Sequence, residues 1–156
     1  MKPLKAERPA KVFRILLVDD NQNGLLARKS VLQEHGYVVH ACSAPEDAII
    51  EFNDQQFDLI VTDYRMPKMT GAQLIQHIRV THPAMPIVLI SGVVDVLGLD
   101  EKTTGANIVI PKSSTEVAHL LRAVKRLLET QAPKKPVRSQ ASKAKAVVKH
   151  SGGKVL

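Results

Sequence analysis

Residues 59–78, LIVTDYRMPKMTGAQLIQHI, read as one complete strand–loop–helix unit. Leu59 to Thr62 is a continuous apolar, largely β-branched run, the pattern of a strand covered on both faces. It ends on an acid, Asp63. After a loop containing Met66 and Pro67, Thr70 and Gln73 stand three apart as a capping box, and Gly71, Leu74, Ile75 and Ile78 recur at helical spacing. The carboxylate at the end of the strand is the feature that the rest of the chain has to explain.

The same alternation extends in both directions from this unit. Short apolar runs recur at Phe13–Val18, Tyr37–Ala41, Ile87–Ile90 and Ile108–Ile110. Helix-period segments lie between them. Pro45, Ala48, Ile49 and Phe52 make one stripe, and Val117, Leu120, Leu121, Val124, Leu127 and Leu128 make the clearest one. Ser43 with Glu46 and Ser113 with Glu116 repeat the capping-box pattern. A less regular helix spans roughly Gly24 to His35, with Gly36 as its stop. Val94 to Thr104, interrupted by Gly98, has the weakest periodicity. Five βα units in succession predict an α/β sandwich around a parallel sheet with right-handed crossovers.

Composition sets the outer limits. The 156 residues suffice for one domain with a full core, and no apolar run approaches the length of a membrane span. The basic start, MKPLKAERPAK, lacks the apolar stretch and cleavage site of an export signal. A single cysteine, Cys42, excludes an internal disulfide and fits a cytoplasmic location. The net charge of +7 is unevenly placed: residues 1–11 carry +3 and residues 131–156 carry +7, which leaves −3 for residues 12–130. The expected organisation is a basic N-terminal extension (1–11), one domain (12–130) and a flexible basic C-terminal tail (131–156). Solvation is the default reading of that tail. Weak, non-specific, salt-dependent nucleic-acid contact is the main alternative, and contact with an anionic membrane surface is the other.

In parallel α/β sheets, ligands bind beyond the carboxyl ends of the strands. There the sequence places Asp19 and Asp20 after the first strand, Asp63 at the end of the third, Ser91 at the end of the fourth and Lys112 after the fifth. With strands one and three adjacent, three carboxylates converge and repel one another unless a cation intervenes. Hard oxygen ligands with room for water and phosphate suit Mg²⁺. A carboxylate beside such an ion can accept a phosphoryl group, with Lys112 and Ser91 supplying charge and a hydroxyl.

These residues together resemble the response-regulator receiver family. The resemblance rests on Asp19-Asp20, on Asp63 in DYRMPKMTG (63–71), on Ser91-Gly92, and on Lys112 seven residues beyond Gly105. It covers about residues 12–130. It implies a flavodoxin-like three-layer α/β/α sandwich with strand order 2-1-3-4-5 and five helices. It also implies a single-domain response regulator, a phosphoacceptor signalling domain rather than an ordinary enzyme. Asp63 is the implied phosphoacceptor for a sensor histidine kinase or histidine phosphotransfer protein. Mg²⁺ would be held by Asp20, Asp63 and the backbone carbonyl of Arg65, with Asp19 reaching it through water. Ser91 and Lys112 would contact the phosphoryl group. A downstream protein would bind the face of the fourth helix, fifth strand and fifth helix.

Three positions depart from the family pattern. Val109 stands where many members carry a Tyr or Phe ring that rotates during switching. Ser113 stands where a proline often follows the lysine, and Pro111 precedes Lys112 instead. A related class, the aspartyl-phosphate hydrolases, keeps an acid two residues after its nucleophile; that position here is Arg65, which argues against it.

Overall fold

The computed structural model describes residues 10–131. The expected basic extension and tail lie almost wholly outside the described residues. Five strands, β1 (Arg14–Val18), β2 (Val38–Cys42), β3 (Leu59–Asp63), β4 (Ile87–Ser91) and β5 (Ile108–Pro111), form one parallel sheet in the order β2-β1-β3-β4-β5. Six helices accompany them: α1 (Gln22–Glu34), α2 (Pro45–Asp54), α3 (Gly71–Thr81), α4 (Val94–Leu97), α5 (Glu101–Thr104) and α6 (Glu116–Glu129).

Strand alternation divides the interior into two cores. Ile15, Leu17, Leu59, Val61, Val88 and Ile90 point to one side and meet Leu25 and Leu32 of α1 and Leu120, Val124 and Leu128 of α6. Leu16, Val18, Ile60, Ile87 and Leu89 point to the other and meet Ala48 and Phe52 of α2 and Leu74, Ile75 and Ile78 of α3. All five residues of β3 and of β4 are buried, as their unbroken apolar runs predict.

The helix count exceeds the expected five because the fourth segment breaks in two. Gly98 takes φ +61, a left-handed conformation that ends α4. Asp100 then caps a new helix by accepting the Thr103 N–H at 2.7 Å. Of the capping boxes read from the sequence, only Thr70/Gln73 forms. The N-cap of α2 is Ala44, with Pro45 supplying helical φ at the first position, so Ser43 makes no cap. The N-cap of α6 is Thr115 rather than Ser113, and the Glu116 carboxylate is held elsewhere. Val117, read as part of the apolar stripe of α6, is exposed.

Candidate functional site

The register carries the acids to one place. The Asp19 N–H donates to the Cys42 carbonyl at 3.1 Å, which extends the β1–β2 pairing by one residue past Val18. Val18 pairs with Thr62 on the other side, so Asp19, Asp20 and Asp63 leave the sheet together. One carboxylate oxygen from each lies within 4.8 Å of the others. Asp19 and Asp63 are buried and Asp20 is exposed, so the cluster has a dry floor and an open mouth. An all-oxygen set with one side open to solvent fits a hard divalent ion that keeps some of its water.

Asp63 is held from several directions. Its Oδ1 accepts the Tyr64 N–H at 2.8 Å, its Oδ2 accepts from Lys112 Nζ at 3.1 Å, and the Thr62 hydroxyl donates to its backbone carbonyl at 2.9 Å. Burial pushes the Asp63 carboxyl above the usual carboxylate range, and the nearby Asp19 charge adds to this. Lys112 and the Tyr64 N–H pull it back. The net direction is upward.

The loop after Asp63 is folded tightly against it. The Met69 N–H donates to the Pro67 carbonyl at 2.8 Å around Lys68, whose φ of 71 is a strained value for a side chain other than glycine. The chain then returns, and the Gly71 N–H donates to the Tyr64 carbonyl at 2.7 Å. A Cβ at position 71 would overlap the Asp63 carbonyl oxygen and lie 2.8 Å from Leu89 Cδ1. Close approach is why a glycine stands there.

Ser91 is buried at the end of β4, one residue beyond the Ile90 that pairs with Asp63. Its Oγ accepts the Val93 N–H at 3.1 Å, and its carbonyl accepts the Lys112 N–H at 2.9 Å, which ties the lysine to the β4 end. Val109 is half-buried against the α2/α3 core. No cis peptide bond occurs among the described residues, so the Pro111–Lys112–Ser113 path is all trans. Arg65 is exposed.

The sequence reading missed Arg28. It lies on α1, buried to 7% exposure, and its guanidinium bonds both Asp19 Oδ2 and, at 2.7 Å, Glu116 Oε1. Burial works against its charge, but Glu116 and Asp19 outweigh that, and its pKa is raised. A signal was present: Leu25, Arg28 and Leu32 are the buried residues of α1, so an arginine occupies a place on an apolar stripe.

A parallel 2-1-3-4-5 sheet with a carboxylate cluster and a lysine at its carboxyl edge defines a doubly wound α/β protein with a phosphate- or metal-type site. The sequence matches the family described as the response regulator receiver domain over residues 15–125, and the chain belongs to that family. It is similar to the gliding motility regulatory protein of Myxococcus xanthus, with 29% identity across 81% of this chain and 17% of that protein. It is also similar to the sensor kinase CckA of Brucella abortus, with 29% identity across 75% of this chain and 13% of that protein. The chain thus spans under a fifth of the length of either relative. Among solved structures, the Vibrio cholerae chemotaxis response regulator CheY4 superposes with a TM-score of 0.68 at 25% identity, over 75% of this chain and 99% of that one. The response regulator TrrA of Thermotoga maritima, solved in complex with Mg²⁺–BeF, gives a TM-score of 0.68 at 29% identity, over 74% and 99%. No helix among the described residues is long and apolar enough to cross a membrane.

Proposed function

We propose that this receiver domain works as a phosphorylation switch with Asp63 as the phosphoacceptor. The observation that carries the reading is the position of Asp63: buried, within 4.8 Å of two more carboxylates, and bonded to Lys112 at 3.1 Å. The donor is a phosphohistidine on a sensor histidine kinase or phosphotransfer protein. An Asp63 carboxylate oxygen forms the new bond to phosphorus as the P–N bond breaks, and the electron pair of that bond returns to the imidazole. Lys112 is already paired with Asp63 and offsets charge on the incoming phosphoryl oxygens. The Ser91 hydroxyl, now engaged by Val93 N–H, is the donor at the neighbouring strand end. Asp20, Asp63 and the Arg65 carbonyl would hold Mg²⁺, with Asp19 behind them. The ion, when bound, supplies positive charge that neutralises the carboxylates and the phosphoryl group. The domain catalyses its own phosphorylation and acts in the cytoplasm.

Output passes to a partner protein at the face built from α4, α5, β5 and α6. Val96, Leu97 and Val117 expose apolar surface there. A groove between β5 and α6 is lined by residues 108–111 of β5 and by His119, Arg122, Ala123 and Arg126 of α6, and its basic side chains suit a partner with acidic ones. With valine at 109 no aromatic ring couples the site to this face, so the message travels through Ser91 and the adjoining 92–104 segment.

The test is incubation with a small acyl-phosphate donor and Mg²⁺, followed by intact mass. A gain of about one phosphate (roughly 80 Da), absent in Asp63→Asn, is expected for a covalent acyl phosphate. An unchanged mass for the wild-type chain would remove the phosphoacceptor reading.

A further inference from the structure

Among the described residues Arg28 is the only buried basic side chain, and it is placed against the acidic pocket itself. Its Nη1 donates to Asp19 Oδ2, while the other oxygen of Asp19 accepts the Asn21 N–H at 2.9 Å. Both oxygens of one of the three clustered carboxylates are therefore engaged by the protein. Glu116, from α6, accepts the Nε–H of the same guanidinium at 2.7 Å and pairs with its Nη2 at the same distance. Gly24 completes the arrangement, since a Cβ there would stand 2.9 Å from Asp19 Oδ2 and 3.3 Å from Arg28 Nη1.

The charges have a direct consequence. Asp19, Asp20, Asp63 and Glu116 against Lys112 and Arg28 leave the cluster at −2, where without Arg28 it would be −3. We propose that Arg28 is a tethered counter-cation that competes with the divalent ion for Asp19 and holds the metal affinity of the pocket down. Glu116 is the second anchor, which keeps the guanidinium satisfied when Asp19 turns to the ion. The proposal rests on the receiver reading of the site. Arg28 acts through Asp19 and is a positioning residue. Because Glu116 sits in the first turn of α6, the competition also links occupancy of the pocket to the helix at the proposed partner face.

A simple brace between α1 and α6 makes the opposite prediction, so the sign of one measurement decides. Titration of the whole chain with MgCl₂ is followed by calorimetry and by the amide shifts of Asn21 and Tyr64. Arg28→Met is expected to bind Mg²⁺ about tenfold more tightly than wild type, since a near-buried carboxylate loses its competing cation. Glu116→Gln is expected to weaken binding about threefold, and to have no effect in an Arg28→Met background. Unchanged or weaker binding by Arg28→Met overturns the competition. If that variant is unfolded by circular dichroism, Glu116→Gln decides alone, and unchanged or tighter binding overturns it. The underlying reading fails separately: no Mg²⁺ binding by wild type or Arg28→Met, together with no phosphate gain by mass, would remove the receiver chemistry itself.

Discussion

Around Asp63 nearly every neighbouring atom is committed, whereas beyond the end of the next strand, β4, α4 buries none of its side chains. On the first side, Tyr64 N–H, the Thr62 hydroxyl, Lys112 and the bare Cα of Gly71 fix one aspartate. On the second, Val94–Leu97 is a single turn ended by Gly98, with Val96 82% exposed. The contrast follows from the work each side would do. A group that reacts needs partners already in place, because reorganising them at the moment of reaction costs free energy. A surface that changes with phosphorylation needs two conformations of similar free energy, and few buried contacts keep them close.

Two glycines provide the largest test of this contrast. Gly71→Ala is expected to destabilise the domain by about 3 kcal/mol or more in urea unfolding, because the new methyl meets the Asp63 carbonyl and Leu89 at once. Gly98→Ala meets no atom and carries only the left-handed φ, a cost of about 1 kcal/mol. Equal effects would erase the distinction between the two regions. A smaller effect should come from charge. Burial raises the Asp63 pKa, so the folded state holds that proton more tightly than the unfolded chain does. Stability is then lost as pH rises from the ordinary carboxylate range through the raised folded value. Asp63→Asn should therefore unfold at higher urea than wild type at neutral pH, with the difference shrinking as pH falls to the ordinary carboxylate range. A pH-independent difference would mean that Lys112 fully offsets the burial. The smallest effect is expected at the exposed turn: Val96→Ser and Leu97→Ser should leave stability within about 0.5 kcal/mol and labelling by an acyl-phosphate donor unchanged. Loss of labelling would show that the loose region takes part in the chemistry.

The sequence made the strands and the acidic pocket readable for the same reason. Continuous apolar runs such as Leu59–Thr62 can hardly sit anywhere but in a covered sheet, and the polar residues that end them then have nowhere else to gather. Arg28 was hard to read although it stands between Leu25 and Leu32 on the buried stripe of α1, because an arginine in a helix is ordinarily a solvent-facing residue. Only contact with two elements distant in sequence, Asp19 and Glu116, reveals its burial, although the irregular look of α1 came from that very interruption. The false capping boxes at Ser43 and Ser113 show the limit of a local motif. Pro45 already supplies helical φ at the start of α2, and Glu116 is taken by a tertiary partner. The split of the fourth helix lay in Gly98 and Asp100 together, a stop and a start two residues apart.

The Tyr64 contact with Asp63 has a practical side. The chain contains no tryptophan and two tyrosines. Tyr37 lies before β2, at the opposite rim of the sheet from the acids, and Tyr64 follows Asp63 directly. Ultraviolet emission from this protein therefore divides between one fluorophore beside the pocket and one far from it. A Tyr37→Phe chain would emit from Tyr64 alone, whose backbone bonds Asp63 and whose ring packs against the α2/α3 core, giving a label-free optical view of changes next to the pocket.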